Sequence, residues 1–134
     1  MYPGSGIDAG FHNASHHGGT EAKIKEFAEI NKFHVSMMAP FLAKLKNTME
    51  GDESLLDKTL IMYGSPMANS NSHNHRNCPL ILLGRGNGVV EGGLHVKAKD
   101  DTPMANVMLS VIHRFGMDDV KNFGDSNAEF SFTA

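Results

Sequence analysis

The sequence contains no tryptophan and a single cysteine, Cys78. One thiol cannot close an internal disulfide, so no cross-link holds the fold and the redox compartment goes unmarked. No apolar run approaches the roughly 20 residues that a bilayer-spanning helix needs. The opening stretch, MYPGSGIDAGFHNASHHGG, lacks the basic and apolar regions of an export signal. Taken by itself, the chain reads as soluble and unaddressed, with no membrane span. Positive charge is also scarce: 12 Lys and Arg stand against 15 Asp and Glu, a formal charge of −3, and the basic residues are scattered. No basic stripe follows a phosphate backbone, which argues against nucleic acid as a partner.

What is present suits a folded protein. At 134 residues, with 40% hydrophobic and 20% charged residues, the chain is long enough for one compact domain, and its composition is globular. Nine methionines supply adaptable core material.

Residues 1–19 are rich in Gly, Ser, Asn and His without apolar periodicity and read as an irregular arm. From Thr20 the apolar positions Ile24, Phe27, Ala28, Ile30, His34, Met38, Phe41, Leu42 and Leu45 recur every three or four residues, which predicts an amphipathic helix over 20–49. Thr20 stands at its cap, and Pro40, which lacks an amide donor, predicts a kink or break just before it. The turn EGDES ends the helix. Strands and a histidine loop are expected over 58–100: TLIMY (59–63) as an apolar strand buried on both faces, LILLG (80–84) as its partner, and LHVKA (94–98) as a shorter edge strand. Thr102 as cap, Pro103 at the first helical position and Gly116 as terminator bound a second helix over 102–116. Its apolar face is Met104, Val107, Met108, Val111, Ile112 and Phe115. Residues 117–134 form an irregular tail whose aromatics can dock on the body. The expected fold is α/β: a single small domain, or part of one, with a layered sheet of two to four strands and two main helices. So small a sheet leaves edges and faces uncovered, which predicts a homo-oligomer.

Chemistry concentrates in NSNSHNHRNCP, residues 69–79. In an extended segment His73 and His75 point to one side and can reach one ion or anionic group. Two ligands fall short of the four of a closed zinc site. The nearest further supply is FHNASHHGG, where His12 and His16 are four apart and His17 follows. Asn13 occupies the place where a zinc protease of this spacing has its general-base glutamate, so that reading fails. A mixed site for a divalent metal such as zinc or manganese, built from His12, His16, His73 and His75, stands beside the plainer reading that these histidines satisfy loop backbone. His34 and His113 lie in helices and read as structural, the latter near a negative helix end that favours a proton. Cys78 needs an oriented base to act as a nucleophile. GRGNG (84–88) lacks the Gly-Lys-Ser/Thr ending of a phosphate loop.

Taken together, FHNASHHGG, EINKFHV, EGDESLLDKTLIMYGSPMANSNSHNHRNCPLILLG, DTPMANVMLSVIHRFG and FGDSN resemble, in order and spacing from about residue 11 to residue 127, a bacterial family of unknown function. It is the domain of unknown function numbered fifteen fifty-two. Its members are several times longer and commonly begin with an export signal, and this stretch is similar to their C-terminal part. The family in turn resembles the alkaline phosphatase and sulfatase superfamily: Leu56-Asp57-Lys58-Thr59, then LIMY, the histidine loop and PLILLG follow the order in which those enzymes place a strand, a metal-binding loop and a short strand with a Gly-rich turn.

The resemblance implies a fragment of an exported or periplasmic, metal-dependent phosphate or sulfate ester hydrolase acting on an anionic small molecule. It also implies that this chain is inactive alone. The superfamily's Asp-His ligand pair is replaced by Gly64-Ser65-Pro66-Met67. Neutral Asn69, where relatives carry aspartate, is a poorer ligand for a divalent cation. The serine or threonine nucleophile has no counterpart. The alternative expectation is a non-catalytic binding or assembly module.

Overall fold

The computed structural model describes residue 2 and residues 5–132. The first residues of the expected arm (Met1, Pro3, Gly4) and the last two of the tail (Thr133, Ala134) lie outside the described residues. The protein is a small mixed α/β chain. Helices α1 (Phe11–Ser15), α2 (Glu21–Ser36) and α3 (Met38–Asn47) come first, followed by strands β1 (Met49–Glu50) and β2 (Glu53–Ser54). Helix α4 (Leu55–Lys58), strands β3 (Leu60–Gly64) and β4 (Leu80–Gly84) and helix α5 (Ala105–Arg114) complete the order. The strands form two separate two-stranded sheets, β1 with β2 and β3 with β4, where a single layered sheet was expected.

The length suggests one domain, yet the chain divides into two compact units. Unit 1 comprises Met1–Leu55 and Gly64–Leu80; unit 2 comprises Leu56–Tyr63 and Ile81–Ala134.

In unit 1 the expected helix over 20–49 is two helices that meet at Met37, whose amide bonds back to both Phe33 and His34. Pro40 follows in the first turn of α3, where helix amides have no intrahelical acceptor and a missing donor costs nothing. Thr20 is the cap residue of α2, but its side chain makes no capping bond. The arm is less irregular than its composition suggests, since Phe11–Ser15 makes a helical turn. Phe11 packs on Phe27 at 5.3 Å and stacks on His34 at 5.5 Å, while Tyr2 meets His34 edge-on at 4.9 Å. These contacts explain why His34 sits on an apolar helix face: its ring serves as an aromatic neighbour. Ala14 and Ile30 are the buried apolar side chains of this unit among the described residues. The EGDES turn is itself a hairpin, Met49 opposite Ser54 and Glu50 opposite Glu53. Gly51, at its first central position, has φ +66°, a value such tight turns reserve for glycine.

Unit 2 holds all of β3 but Gly64 and all of β4 but Leu80, antiparallel strands joined at their outer end by the amide of Gly86 on the carbonyl of Thr59. The strands are only half covered: Met62 and Ile81 are 45% and 46% exposed, and the exposure of Met62 corrects the expectation that residues 59–63 are buried on both faces. A pair of strands has apolar side chains on both faces, and two-stranded sheets recruit too little structure to cover both. Residues 94–98 form no strand and are exposed. Helix α5 starts at Ala105, later than expected, because the Thr102 hydroxyl bonds backward to the carbonyl of Lys99 at 2.7 Å and leaves the helix amides alone. Val90 and Leu109 are the buried apolar side chains here among the described residues.

No helix among the described residues is long and apolar enough to cross a membrane.

Candidate functional site: a histidine cluster in unit 1

The histidine loop is not extended. His73 has φ +52° and Asn77 φ +57°, and Asn69 pairs with Asn74 across a bridge that closes the turn. The Asn69 side-chain oxygen accepts the amides of Asn71 and Ser72 at 3.1 and 3.3 Å, and that of Asn74 accepts the amide of Arg76 at 2.7 Å. Asparagine is suited to both tasks, accepting from amides two residues on and tolerating left-handed backbone. One left-handed residue breaks period-two alternation, so His73 and His75 part company. The expected shared side for these two rings is therefore corrected.

His75 turns inward on its own loop, with Nδ1 2.6 Å from the carbonyl of Pro66. The thiol of Cys78 donates to the same carbonyl and to that of His75, each at 3.2 Å. A thiol bonded to carbonyls has no base oriented to take its proton, and the arrangement gives Cys78 no activation.

His73 goes the other way, to the arm. Its ring meets that of His16 at a centroid distance of 5.1 Å, and His16 meets His12 at 4.9 Å, both edge to face. Two hydrogen bonds hold arm and loop together: the Ser70 hydroxyl donates to the carbonyl of Ser15 at 2.9 Å, and the Asn71 side-chain oxygen accepts the amide of Gly18 at 2.8 Å. His12 lies in α1 and His16 is the residue that caps its C-terminal end, four positions on, and the two rings meet there. The structure thus gathers His12, His16 and His73, three of the four histidines singled out from the sequence, and leaves His75 out. His17 lies apart, its Nδ1 accepting the amide of Gly19 at 3.1 Å.

The spacing of the rings bears on what they can hold. Two imidazoles on one tetrahedral ion, at metal–nitrogen distances of about 2.0–2.1 Å, keep their ring centres roughly 5 Å apart. Both ring pairs meet that condition. Among the described residues, however, no three His, Cys, Asp or Glu groups converge as a ligand set. The ring separations are those of a shared ion and equally those of imidazoles packed edge to face, and no closed ligand set is present among the described residues. All three histidines are exposed, so an incoming group can reach them.

In unit 2 the GRGNG loop turns its amides inward. Those of Arg85, Gly86 and Asn87 donate to the carbonyls of Leu56, Thr59 and Asp57 at 3.3, 2.9 and 2.9 Å. Donors already used by the protein do not cradle a phosphate, which closes the phosphate-loop reading.

Sequence reasoning missed a second polar array, Asn106 and Ser110 on α5, both buried. Its signal was present: with His113 they recur at four and three residues within an otherwise apolar helix. Such residues read as a solvated face until the tail is known to lie on them. Compared with family models, curated proteins and solved structures, the chain matches none.

Proposed function

We propose that this chain contributes imidazoles to a binding centre for a divalent metal or an anionic group in an alkaline-phosphatase-like protein, and that it does not hydrolyse esters by itself. The juxtaposition of His16 with His73 carries this reading. Two segments remote in sequence are tied by hydrogen bonds so that their imidazoles meet, exposed, at the separation a shared ion requires. Histidine suits both partners, as a neutral ligand for a borderline cation or as a protonated donor to an oxyanion. On this reading the remaining ligands and the nucleophile belong to residues outside this chain, in an exported or periplasmic protein, as the family resemblance implies. The substrate class is a phosphate or sulfate ester.

Calorimetric titration with zinc and manganese tests the proposal. Micromolar uptake that is lost in His16→Ala and His73→Ala, and retained in His75→Ala, supports it. Absence of uptake at neutral pH, together with no binding of inorganic phosphate or sulfate, overturns it.

The second reading, a homo-oligomeric assembly module, is favoured by the exposed apolar side chains of α2 and α3. Ile24, Val35 and Phe41 are 43%, 51% and 46% exposed in a unit that buries few apolar groups of its own. These exposed apolar side chains are the surface that such a contact would cover. Light scattering decides it: a strict monomer at high concentration removes this reading.

A further inference from the structure

Asn106, Ser110 and His113 share one face of α5, and each binds the tail that follows the helix. The Asn106 side-chain oxygen accepts the amides of Asn127 and Ala128 at 3.0 and 3.4 Å, and its nitrogen donates to the side-chain oxygen of Asn127 at 3.0 Å. Ser110 Oγ accepts the amide of Phe130 at 2.6 Å. His113 faces the carbonyl of Val120 through Nε2, at 2.7 Å, and the carboxylate of Glu129 through Nδ1, at 2.9 Å. Asn106 and Ser110 do not titrate, so their bonds carry no pH dependence of their own. Those of His113 do.

Both partners of His113 are acceptors. A neutral imidazole has one N–H, so it would set the lone pair of its other nitrogen against an oxygen; only the imidazolium donates to both. The Val120 carbonyl is the largest influence and raises the His113 pKa above its ordinary 6.5; burial, the next largest, opposes it, and Glu129 and Asp118 raise it further. The hollow around the ring, of about 420 Å³, is lined by Leu109 and, among charged groups, by Asp118, Lys121 and Glu129. Lys121 is turned to the carbonyl of Asp118 at 3.0 Å. Arg114, the next residue on the helix, donates to the carbonyl of Val89 at 2.6 Å and lies over the ring of Phe132 at 4.8 Å.

We propose that residues 117–132 are a proton-operated strap, closed on α5 while His113 is protonated and loosened when it is neutral, baring Leu109 and the amide-binding stripe of the helix. The docked tail raises the His113 pKa, so docking is favoured by the proton. That gain is fully present below the pKa of the released ring and is lost as pH rises through the pKa of the docked one. Each unit of elevation corresponds to about a tenfold change in the docking equilibrium.

The test is hydrogen exchange on the whole chain, followed by NMR at the amides of Asn127, Ala128 and Phe130 and normalised to unstructured rates, from about pH 5.5 to 8.5. The His113 ring is titrated in the same samples. Protection falling several-fold in step with the ring's titration is expected, with the midpoint moved to lower pH in Glu129→Gln and protection low throughout in His113→Gln. Protection that ignores pH, or a pH profile unchanged in His113→Gln, overturns the strap. Should His113→Gln not fold, the midpoint in Glu129→Gln decides: an unmoved one refutes the proposal.

Discussion

His16 and His73 stand ring to ring at 5.1 Å, one from the arm and the other from the loop, and neither depends on the other for its local fold. Helix α1 aims the first, and a left-handed residue aims the second. What aligns them is the pair of bonds from Ser70 and Asn71 to the arm backbone. If the pair is a ligand site, Asn71→Ala and Ser70→Ala each weaken zinc uptake by about fivefold through misplacement alone, since each removes a tethering hydrogen bond worth about 1 kcal/mol. Titration calorimetry on the two variants reads the effect directly.

The same links have a structural worth. A hydrogen bond to an otherwise satisfied backbone contributes about 1 kcal/mol, so the double variant Ser70→Ala, Asn71→Ala is expected to lose roughly 2 kcal/mol of arm docking at most. The loss should be confined to residues 11–19. Amide exchange that speeds up there while α2 stays protected is the expected result; uniform loss across unit 1 would show that the arm is integral to its core.

Much of this was legible in the sequence, and the failures share a cause. Periodicity located α2, α3 and α5, and apolar runs located β3 and β4, because those patterns depend on local burial. The orientation of His73 was not legible: period-two alternation holds only in extended chain, and the positive φ at His73 and Asn77 arises from a loop closed by asparagine side chains. LHVKA alternates acceptably for a strand and yet pairs with nothing, since a strand needs a partner that no local pattern announces. The stripe of Asn106, Ser110 and His113 was visible as spacing but mute about its occupant. Residues 117–132 have no regular structure, and their backbone amides reveal their acceptors only once the chain is folded.

Asn106 and Ser110 therefore carry more stability than polar helix residues usually do. They are 4% and 3% exposed, and each satisfies tail amides. Ser110→Ala is expected to cost about 1–2 kcal/mol, and Asn106→Leu as much or more, because part-buried amides of the tail lose their acceptors. Urea unfolding read by circular dichroism, with tail proteolysis in parallel, checks both. A cost within about 0.5 kcal/mol for each would mean that the tail amides find water instead.

Gly84, at the end of β4, is a position that tolerates no side chain. Its φ is +90°, and a Cβ there would run into the carbonyl oxygens of Thr59 and Leu56. The carbonyl of Leu56 accepts the amide of Arg85, and that of Thr59 accepts the amide of Gly86. The chain must turn so tightly at Gly84 because the following amides are spent holding the GRGNG loop against the segment that precedes β3. Gly84→Ala combines a left-handed backbone penalty with a clash against backbone that cannot swing aside as a side chain would, and is expected to destabilise unit 2 by roughly 3 kcal/mol or more. Gly92→Ala, where nothing lies within 4 Å of the added carbon and φ is not positive, is the matched control and should change stability by less than about 1 kcal/mol. Chemical unfolding of the two variants side by side settles it: equal midpoints would show that the close turn at Gly84 is not what holds the loop.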